Sequence, residues 1–359
     1  MKKIATICFI TGKTGGHFFP ALALAKDLSS QGRFRLFFIT SDSGLDKKIL
    51  LKNNSRVFPF SLPNSRSLFS FLTFFYSLFS LCIFFLKEKP KLIVGFGGII
   101  SFYVGVLSSI LRIPYLFAEL NVYPGKANRI LKHVAQYIFL AYRPLLSFFP
   151  SSKSLVTGVP IRQDIFNYTR ENSLKNLSFD SQKKTLLVMG GSQGAHMINV
   201  LFTKSINSLK KWHNHLQIIH ITGENDYFWI KTITADCSLT YRTFSFVEDI
   251  GKLLVMTDLY LGRAGGSISA ELIAYHIPAL YIPFPYAKDN HQEKNARYFS
   301  RLRICQWIQE RDVTETVIVT QLEKLLFTHN GLTPLKNNLK NLSITSANKK
   351  IVKKLLSLL

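Results

Sequence analysis

The chain is short of acid. Its 359 residues hold 21 Asp and Glu against 45 Lys and Arg, a formal net charge of +24. An excess of that size points to an anionic partner: nucleic acid, a membrane surface or a phosphorylated ligand. Cysteine is scarce too. Cys8, Cys82, Cys237 and Cys305 lie far apart, with no C-x-x-C pair and no metal-ligand spacing. That excludes a disulfide scaffold and fits free, mostly buried thiols in a reducing compartment. No basic arm, zinc spacing or aromatic RNA-binding signature occurs, so nucleic acid is set aside as a partner. No Asp-x-Asp occurs either, which argues against a divalent-metal sugar-nucleotide scheme; no metal and no cofactor is expected. Aromatics are not lacking. The chain has 30 Phe and is 47% hydrophobic, and a basic, Phe-rich composition reads as that of a protein working at a membrane surface.

At this length two domains are expected rather than one core. Lys3–Thr11 is a short apolar run that ends at Gly12-Lys-Thr-Gly-Gly-His17, and Pro20–Leu28 follows with helical spacing. Strand, turn and helix explain these residues better than a signal peptide, because the apolar stretch spans only Ile4 to Ile10 and the glycines interrupt it. Further strands are expected at Arg35–Thr40, Lys91–Gly95 and Pro114–Ala118. The pattern restarts after Asp180: strand Lys184–Met189, a glycine turn, helix Met197–Leu209, then strands Leu216–Thr222, Thr243–Val247, Leu259–Gly262 and Ala279–Ile282. A helix is expected from Gly265-Gly266 through Ala274. Strands alternating with helices imply an α/β fold with two doubly wound parallel sheets, whose ligands sit at the carboxyl ends of strands. Gly158 and Pro160 punctuate a boundary near Thr157–Arg162, and Asn167–Lys184 reads as a polar surface excursion.

Ser67–Leu86 carries no charge and is full of Phe and Leu. Its length suits a span of about 20 residues. Two features favour a helix within the fold instead. Ser67, Ser70, Thr73, Ser77 and Ser80 recur on one side, opposite Leu68, Phe71, Leu72, Phe75, Phe79 and Ile83. The segment also lies between two strands of one expected sheet. Part of the Phe face is then expected to dip into a bilayer surface.

The chemistry gathers at glycine turns between strand and helix, where backbone N–H groups and a helix N-terminus can hold phosphate. These are Gly12 to His17, Gly95-Phe-Gly-Gly98, Gly190-Gly-Ser-Gln-Gly-Ala195 and Gly265-Gly266. The first is not a Walker A loop, because Ile7 stands where the leading glycine is required. Packing alone accounts for one such turn, but a nucleotide diphosphate and a second phosphorylated ligand account better for several. His17 beside the first turn is a candidate base. Glu271, early in the helix after Gly265-Gly266, can accept ribose hydroxyls or stand as a solvated helix residue. Asp289-Asn-His-Gln-Glu-Lys-Asn295 can read sugar hydroxyls or simply cap a helix through Asp289 or Asn290.

In this order the motifs resemble the MurG family of GT-B glycosyltransferases, from about residue 4 to 300. Gly12 to His17 with Pro20 matches the family's first glycine loop, Gly95 to Ser101 the second, and 190–195 the third in full. Ala118-Glu-Leu-Asn121, Asn128 and Gly158-Val-Pro-Ile-Arg162 match further motifs in part, and Arg263, Gly265, Glu271, Asp289, Gln292, Asn295 and Ala296 fit the donor segments. Departures are Lys13 for a glycine, Phe102-Tyr103 for Gly-Pro, and Ala118, Leu120 and Val159 for polar residues. They fall mostly on the acceptor side, so the donor side is the better match.

The resemblance implies a GT-B fold of two Rossmann-like doubly wound domains facing across a cleft: 1–158 for the acceptor and membrane, 159–340 for the UDP-sugar, and a helix in 341–359 packing back on the first domain. It implies inverting, metal-independent transfer of GlcNAc from UDP-GlcNAc to the MurNAc 4-hydroxyl of undecaprenyl-diphosphate-linked lipid I, giving lipid II for peptidoglycan. The setting it implies is peripheral, on the anionic cytoplasmic face of the inner membrane. His17 is the expected base and Glu119 its competitor. The donor is expected on Thr14, Gly15, Gly16, Asn121, Arg162, Ser192, Gln193, Val247 at the uracil, Gly266, Glu271 at the ribose and Gln292 at the sugar. The acceptor is expected on Lys13, Gly97, Gly98 and Asn128, with Gly15 and Gly16 bordering its phosphates. A diacylglycerol glycosyltransferase of the same fold and a noncatalytic GT-B-like membrane scaffold are the alternatives.

Overall fold

The computed structural model describes residues 4–12, 15–32, 34–42, 45–52, 55–63, 67–191, 194–342 and 347–359. Lys13, Thr14, Ser192 and Gln193 lie outside them. The chain divides into two compact units, Met1–Arg162 with Thr345–Leu359, and Gln163–Ile344.

The first unit carries β1 (Ala5–Ile10), α1 (Gly15–Gln31), β2 (Phe34–Ser41), α2 (Leu45–Lys52), β3 (Arg56–Phe60), α3 (Leu68–Glu88), β4 (Leu92–Gly95), α4 (Gly98–Ile110), β5 (Tyr115–Glu119), α5 (Lys126–Leu131), β6 (Tyr137–Leu140) and β7 (Ser154–Val156). Its seven strands run in the order β3-β2-β1-β4-β5-β6-β7. Paired strands in this sheet are parallel. Helices cover a parallel sheet on both faces, which is why its central strands read as unbroken apolar runs. Ile7 to Ile10 and Leu92 to Val94 are fully buried accordingly. The chain leaves β1 toward β2 and β3, then returns to β4 on the other side. The switch point therefore lies between the carboxyl ends of β1 and β4, where a ligand is expected.

The second unit repeats the plan with α6 (Arg170–Leu177), β8 (Lys184–Met189), α7 (His196–Leu209), β9 (Leu216–Ile221), α8 (Tyr227–Ile233), β10 (Thr240–Phe244), α9 (Gly251–Leu254), β11 (Leu259–Gly262), α10 (Gly266–Ala274), β12 (Ala279–Tyr281), α11 (His291–Arg301), β13 (Cys305–Trp307), α12 (Glu315–Phe327) and α13 (Thr333–Lys340). Its six strands run β10-β9-β8-β11-β12-β13, with the switch between β8 and β11. A final helix, α14 (Ala347–Leu356), belongs to the first unit and packs on α1. Asn348 fixes it there: Nδ2 donates to Asp27 Oδ2 at 2.7 Å and to the Ile161 carbonyl at 2.9 Å, while Oδ1 accepts from Ile161 N at 3.0 Å.

Three expectations are corrected. The strand expected at Thr243–Val247 is β10 at Thr240–Phe244, because Thr240-Tyr-Arg-Thr pairs with β9 despite its polar side chains. The stretch 167–184 is not a plain surface excursion: Thr169 caps α6, accepting from Asn172 N, and Leu174 is buried. Asn290 precedes α11 but makes no capping bond through its side chain; it and Asp289 both have left-handed backbone, and Asn290 instead donates to Glu293 at 2.7 Å.

Helix α3 joins β3 to β4, two strands of one sheet, so threading it across a bilayer would tear that sheet apart. It is long and apolar enough to span, with a mean hydropathy of 2.1 over an 18-residue window within Phe69–Glu88. Yet its burial runs against its composition. Ser70, Phe74, Ser77, Leu81 and Phe85 face the core, whereas Phe75 and Phe79 are 61% and 65% exposed, beside exposed Phe71, Leu72, Ile83 and Leu86. Small serines let the helix lie close, with Ser77 Oγ accepting from Ser61 N at 3.3 Å. Phe74 packs against Tyr103 of α4 with ring centroids 4.7 Å apart, and Val106 and Ile110 of α4 are exposed too.

Candidate functional site

In the first unit the switch point is filled by His17. It lies in the first turn of α1, directly after the β1 turn. Gly97 and Gly98 open α4 beside it with φ of +100° and +83°, values that L side chains avoid. Both lie in contact with the imidazole. A β-carbon on Gly97 would lie 3.5 Å from His17 Nε2 and 3.6 Å from Asn128 Nδ2, and one on Gly98 would lie 3.6 Å from His17 Nδ1. On Gly12 it would meet His17 Nδ1 at 2.8 Å, so that glycine is demanded by contact. Two glycine turns, His17 and Asn128 thus converge.

Glu119 ends β5 and is buried. Its Oε1 accepts from Asn121 N at 3.1 Å and Asn121 Nδ2 at 3.4 Å; its Oε2 accepts from Gly125 N at 3.1 Å and Asn128 Nδ2 at 2.8 Å. Burial pushes its carboxyl above the usual carboxylate range, and these hydrogen bonds pull it back in part. One side chain therefore shapes the whole 121–128 loop and aims Asn128 at Gly97. Arg162, at the end of the unit, is buried with its guanidinium 4.4 Å from the centre of the Phe19 ring, two residues beyond His17 on α1.

In the second unit β8 runs into the turn that starts at Gly190. Gly194 has φ +80°, and a β-carbon on it would collide with the Thr222 carbonyl. Across the switch, β11 ends at Gly262 and α10 begins at Gly266, with Glu271 buried on its second turn. Asn295 of α11 donates to the Ala264 carbonyl at 3.0 Å, and Gln292 Oε1 accepts from Phe284 N at 3.0 Å. Arg263 donates to the Ile282 carbonyl at 3.0 Å, pairs with Glu310 and sits 5.1 Å from the centre of the Phe284 ring. These contacts hold the β11 and β12 carboxyl ends in one frame. Val247 lies past the end of β10, half-buried. Among the described residues no group of three or more His, Cys, Asp or Glu converges as a metal site would.

Sequence reasoning missed a buried polar chain in this unit. Tyr241 hydroxyl lies 2.7 Å from His220 Nδ1, His220 Nε2 lies 2.9 Å from Asn199 Oδ1, and Asn199 Nδ2 donates to Thr222 O and to Asp226 Oδ2. His196 Nδ1 and Trp229 Nε1 reach the same carboxylate at 2.9 Å each. The available signal was His220 itself, a titratable residue in the middle of the apolar run Leu216–Ile221.

Two doubly wound parallel sheets, each with glycine turns at its switch point, define a GT-B-type nucleotide-sugar transferase. The glycosyltransferase family 28 N-terminal domain matches residues 7–140 and its C-terminal domain residues 185–355. The UDP-N-acetylglucosamine–N-acetylmuramyl-(pentapeptide) pyrophosphoryl-undecaprenol N-acetylglucosamine transferase of Thermodesulfovibrio yellowstonii is 32% identical over 88% of this chain and 88% of its own length. The same-named protein of Halothermothrix orenii is 33% identical, over 89% and 90%. The crystal structure of Acinetobacter baumannii MurG superposes with a TM-score of 0.75 at 25% identity, covering 98% of this chain and 99% of that one. The chain belongs to the MurG family.

Proposed function

We propose that this chain moves GlcNAc from UDP-GlcNAc to the MurNAc 4-hydroxyl of an undecaprenyl-diphosphate-linked acceptor, with inversion. The observation that carries the reading is the convergence of His17, Gly97, Gly98 and Asn128 at the first unit's switch point, a histidine packed against the glycine turns between strand and helix. His17 takes the proton from the acceptor hydroxyl as it attacks the anomeric carbon, and UDP leaves. Glu119 is then a positioning residue rather than the base: all four of its hydrogen bonds are spent on its own 121–128 loop.

Charge on the departing diphosphate falls to oriented backbone N–H groups, helix N-termini and Arg162, without a divalent ion. Glu271 takes the ribose, the Val247 backbone the uracil, and Gln292 the GlcNAc hydroxyls. Thr14, Gly15, Gly16, Asn121, Ser192, Gln193 and Gly266 complete the donor side. Lys13, Gly97, Gly98 and Asn128 face the acceptor.

The exposed arc of α3 supports peripheral docking on the cytoplasmic face of an anionic membrane. Exposed Lys87 and Lys89 stand at its carboxyl end and Arg112 just past α4, where anionic headgroups would meet them. Transfer assays with UDP-GlcNAc, UDP-Glc and UDP-Gal against lipid I and diacylglycerol test the reading. GlcNAc on lipid I is expected. Glucose or galactose on diacylglycerol would make the chain a membrane-lipid transferase, and no transfer at all would leave a scaffold.

A further inference from the structure

The buried chain from Tyr241 to Asp226 has a fixed direction. Asn199 Nδ2 donates to two acceptors, the Thr222 carbonyl and Asp226, so its Oδ1 must accept. His220 Nε2 is therefore the protonated nitrogen, and Nδ1 accepts from the Tyr241 hydroxyl. Burial drives the His220 pKa down to about 3, which keeps the ring neutral, and the two hydrogen bonds select this tautomer. Every donor then points toward Asp226, which is 7% exposed and receives Asn199, His196 and Trp229. Burial alone would raise its carboxyl, but those three hydrogen bonds outweigh it and hold it below the usual carboxylate range.

The far end of the device touches the glycine turn. His196 and Asn199 both sit in the first turn of α7, directly after Ala195. The Thr222 carbonyl, held by Asn199, lies against Gly194 Cα so closely that no side chain fits. Asp226 thus pins the turn from two sides: through α7, and through the Thr222 peptide.

We propose that Asp226 is a positioning residue for the donor diphosphate, setting Gly194, Ala195 and the α7 N-terminus in the geometry that receives phosphate oxygens. This rests on the nucleotide-sugar reading above. The end of β10, which leads to Val247, is held mainly by its parallel ladder with β9, from Thr240 opposite Gln217 to Phe244 opposite Ile221, which involves none of these side chains. Loss of the Asp226 charge should therefore weaken the grip on phosphates and spare the grip on the base.

The test is calorimetric titration of uridine and UDP into the full-length protein and Asp226→Asn, with steady-state kinetics. UDP affinity should fall about tenfold, with the UDP-GlcNAc KM rising in parallel, while uridine affinity and the acceptor KM stay within twofold. Trp229→Phe keeps a ring and deletes one donor to the carboxylate; it should show the same split at about threefold, and it decides the matter if Asp226→Asn does not fold. Equal losses for uridine and UDP would mean general disruption of the unit and overturn the proposal, as would no change in either. Failure of the unaltered protein to bind UDP would instead overturn the nucleotide-sugar reading itself.

Discussion

Replacing Phe75 and Phe79 of α3 by Ser is the sharpest test of membrane docking, because the structure separates binding from folding there. Both rings are about two-thirds exposed, at 61% and 65%, so little of either contributes to the core. An aromatic side chain offers on the order of 200 Å². Two-thirds of that at about 25 cal/mol per Å² gives roughly 3 kcal/mol for each ring fully sunk into lipid. Partial insertion at the headgroup level lowers this, so about 1–3 kcal/mol per ring is expected, or roughly 5- to 150-fold in partitioning for one substitution. Co-sedimentation with anionic vesicles, at low and high salt, measures it. Binding of the unaltered protein should weaken at high salt without vanishing, since screening removes the charge attraction and leaves the apolar part. The double variant should lose most of the salt-resistant fraction while its melting temperature stays within a few degrees. Unchanged vesicle binding would refute the reasoning, and so would a collapse in stability, which would show these rings to be core. Retention in the pellet after carbonate extraction would contradict the sheet topology around α3.

His17→Ala should lower kcat by about 10²–10⁴-fold with UDP binding nearly unchanged; near-normal turnover in a single-turnover assay would give the proton to another group. Glu119 has a raised folded-state pKa, so the fold holds a proton that the unfolded chain has released. Its contribution is complete below the ordinary carboxylate value and is lost as pH rises through the raised one. Glu119→Gln should remove that slope from melting temperature against pH, whereas parallel profiles would refute it. Asn348→Ala deletes three hydrogen bonds between α14, Asp27 and Ile161 and should cost about 1–3 kcal/mol in urea unfolding, without changing the UDP affinity. Turnover should survive EDTA; complete loss restored by Mg²⁺ or Mn²⁺ would move the diphosphate charge onto a metal.

Much of the fold was legible because a parallel strand buried on both faces announces itself as an unbroken apolar run. Lys184–Met189 and Leu259–Gly262 were read to the residue. Two of the misses share a cause. Thr240–Phe244 and Ser154–Val156 carry polar side chains and enter their sheets through backbone pairing at or near an edge, where composition is weakly constrained. At the site, residue types gave His17, Glu119 and Asn128 as candidates, but only geometry shows His17 lying over Gly97 while four donors fill Glu119. The Tyr241–His220–Asn199–Asp226 chain was invisible because its members come from three segments of sequence, and no local spacing links them. For α3 the two faces were legible in the sequence, and the expected outward turn of part of the Phe arc agrees with exposed Phe71, Phe75 and Phe79; that Phe74, Leu81 and Phe85 join the serines on the inner face was not legible.

The packing of α14 onto the first unit has a consequence for synthesis. Residues 345–359 complete a body whose other residues finish at Arg162, and the whole second unit is made in between. At 5–20 residues per second the ribosome needs roughly 10–40 s to travel from one to the other. During that interval the seven-stranded sheet waits with the α1 face uncapped, Asp27 and the Ile161 peptide lacking their Asn348 partner, and the phenylalanines of α3 already outward. The first unit therefore completes its packing only after the second has been made, and α14 acts as a late latch on it.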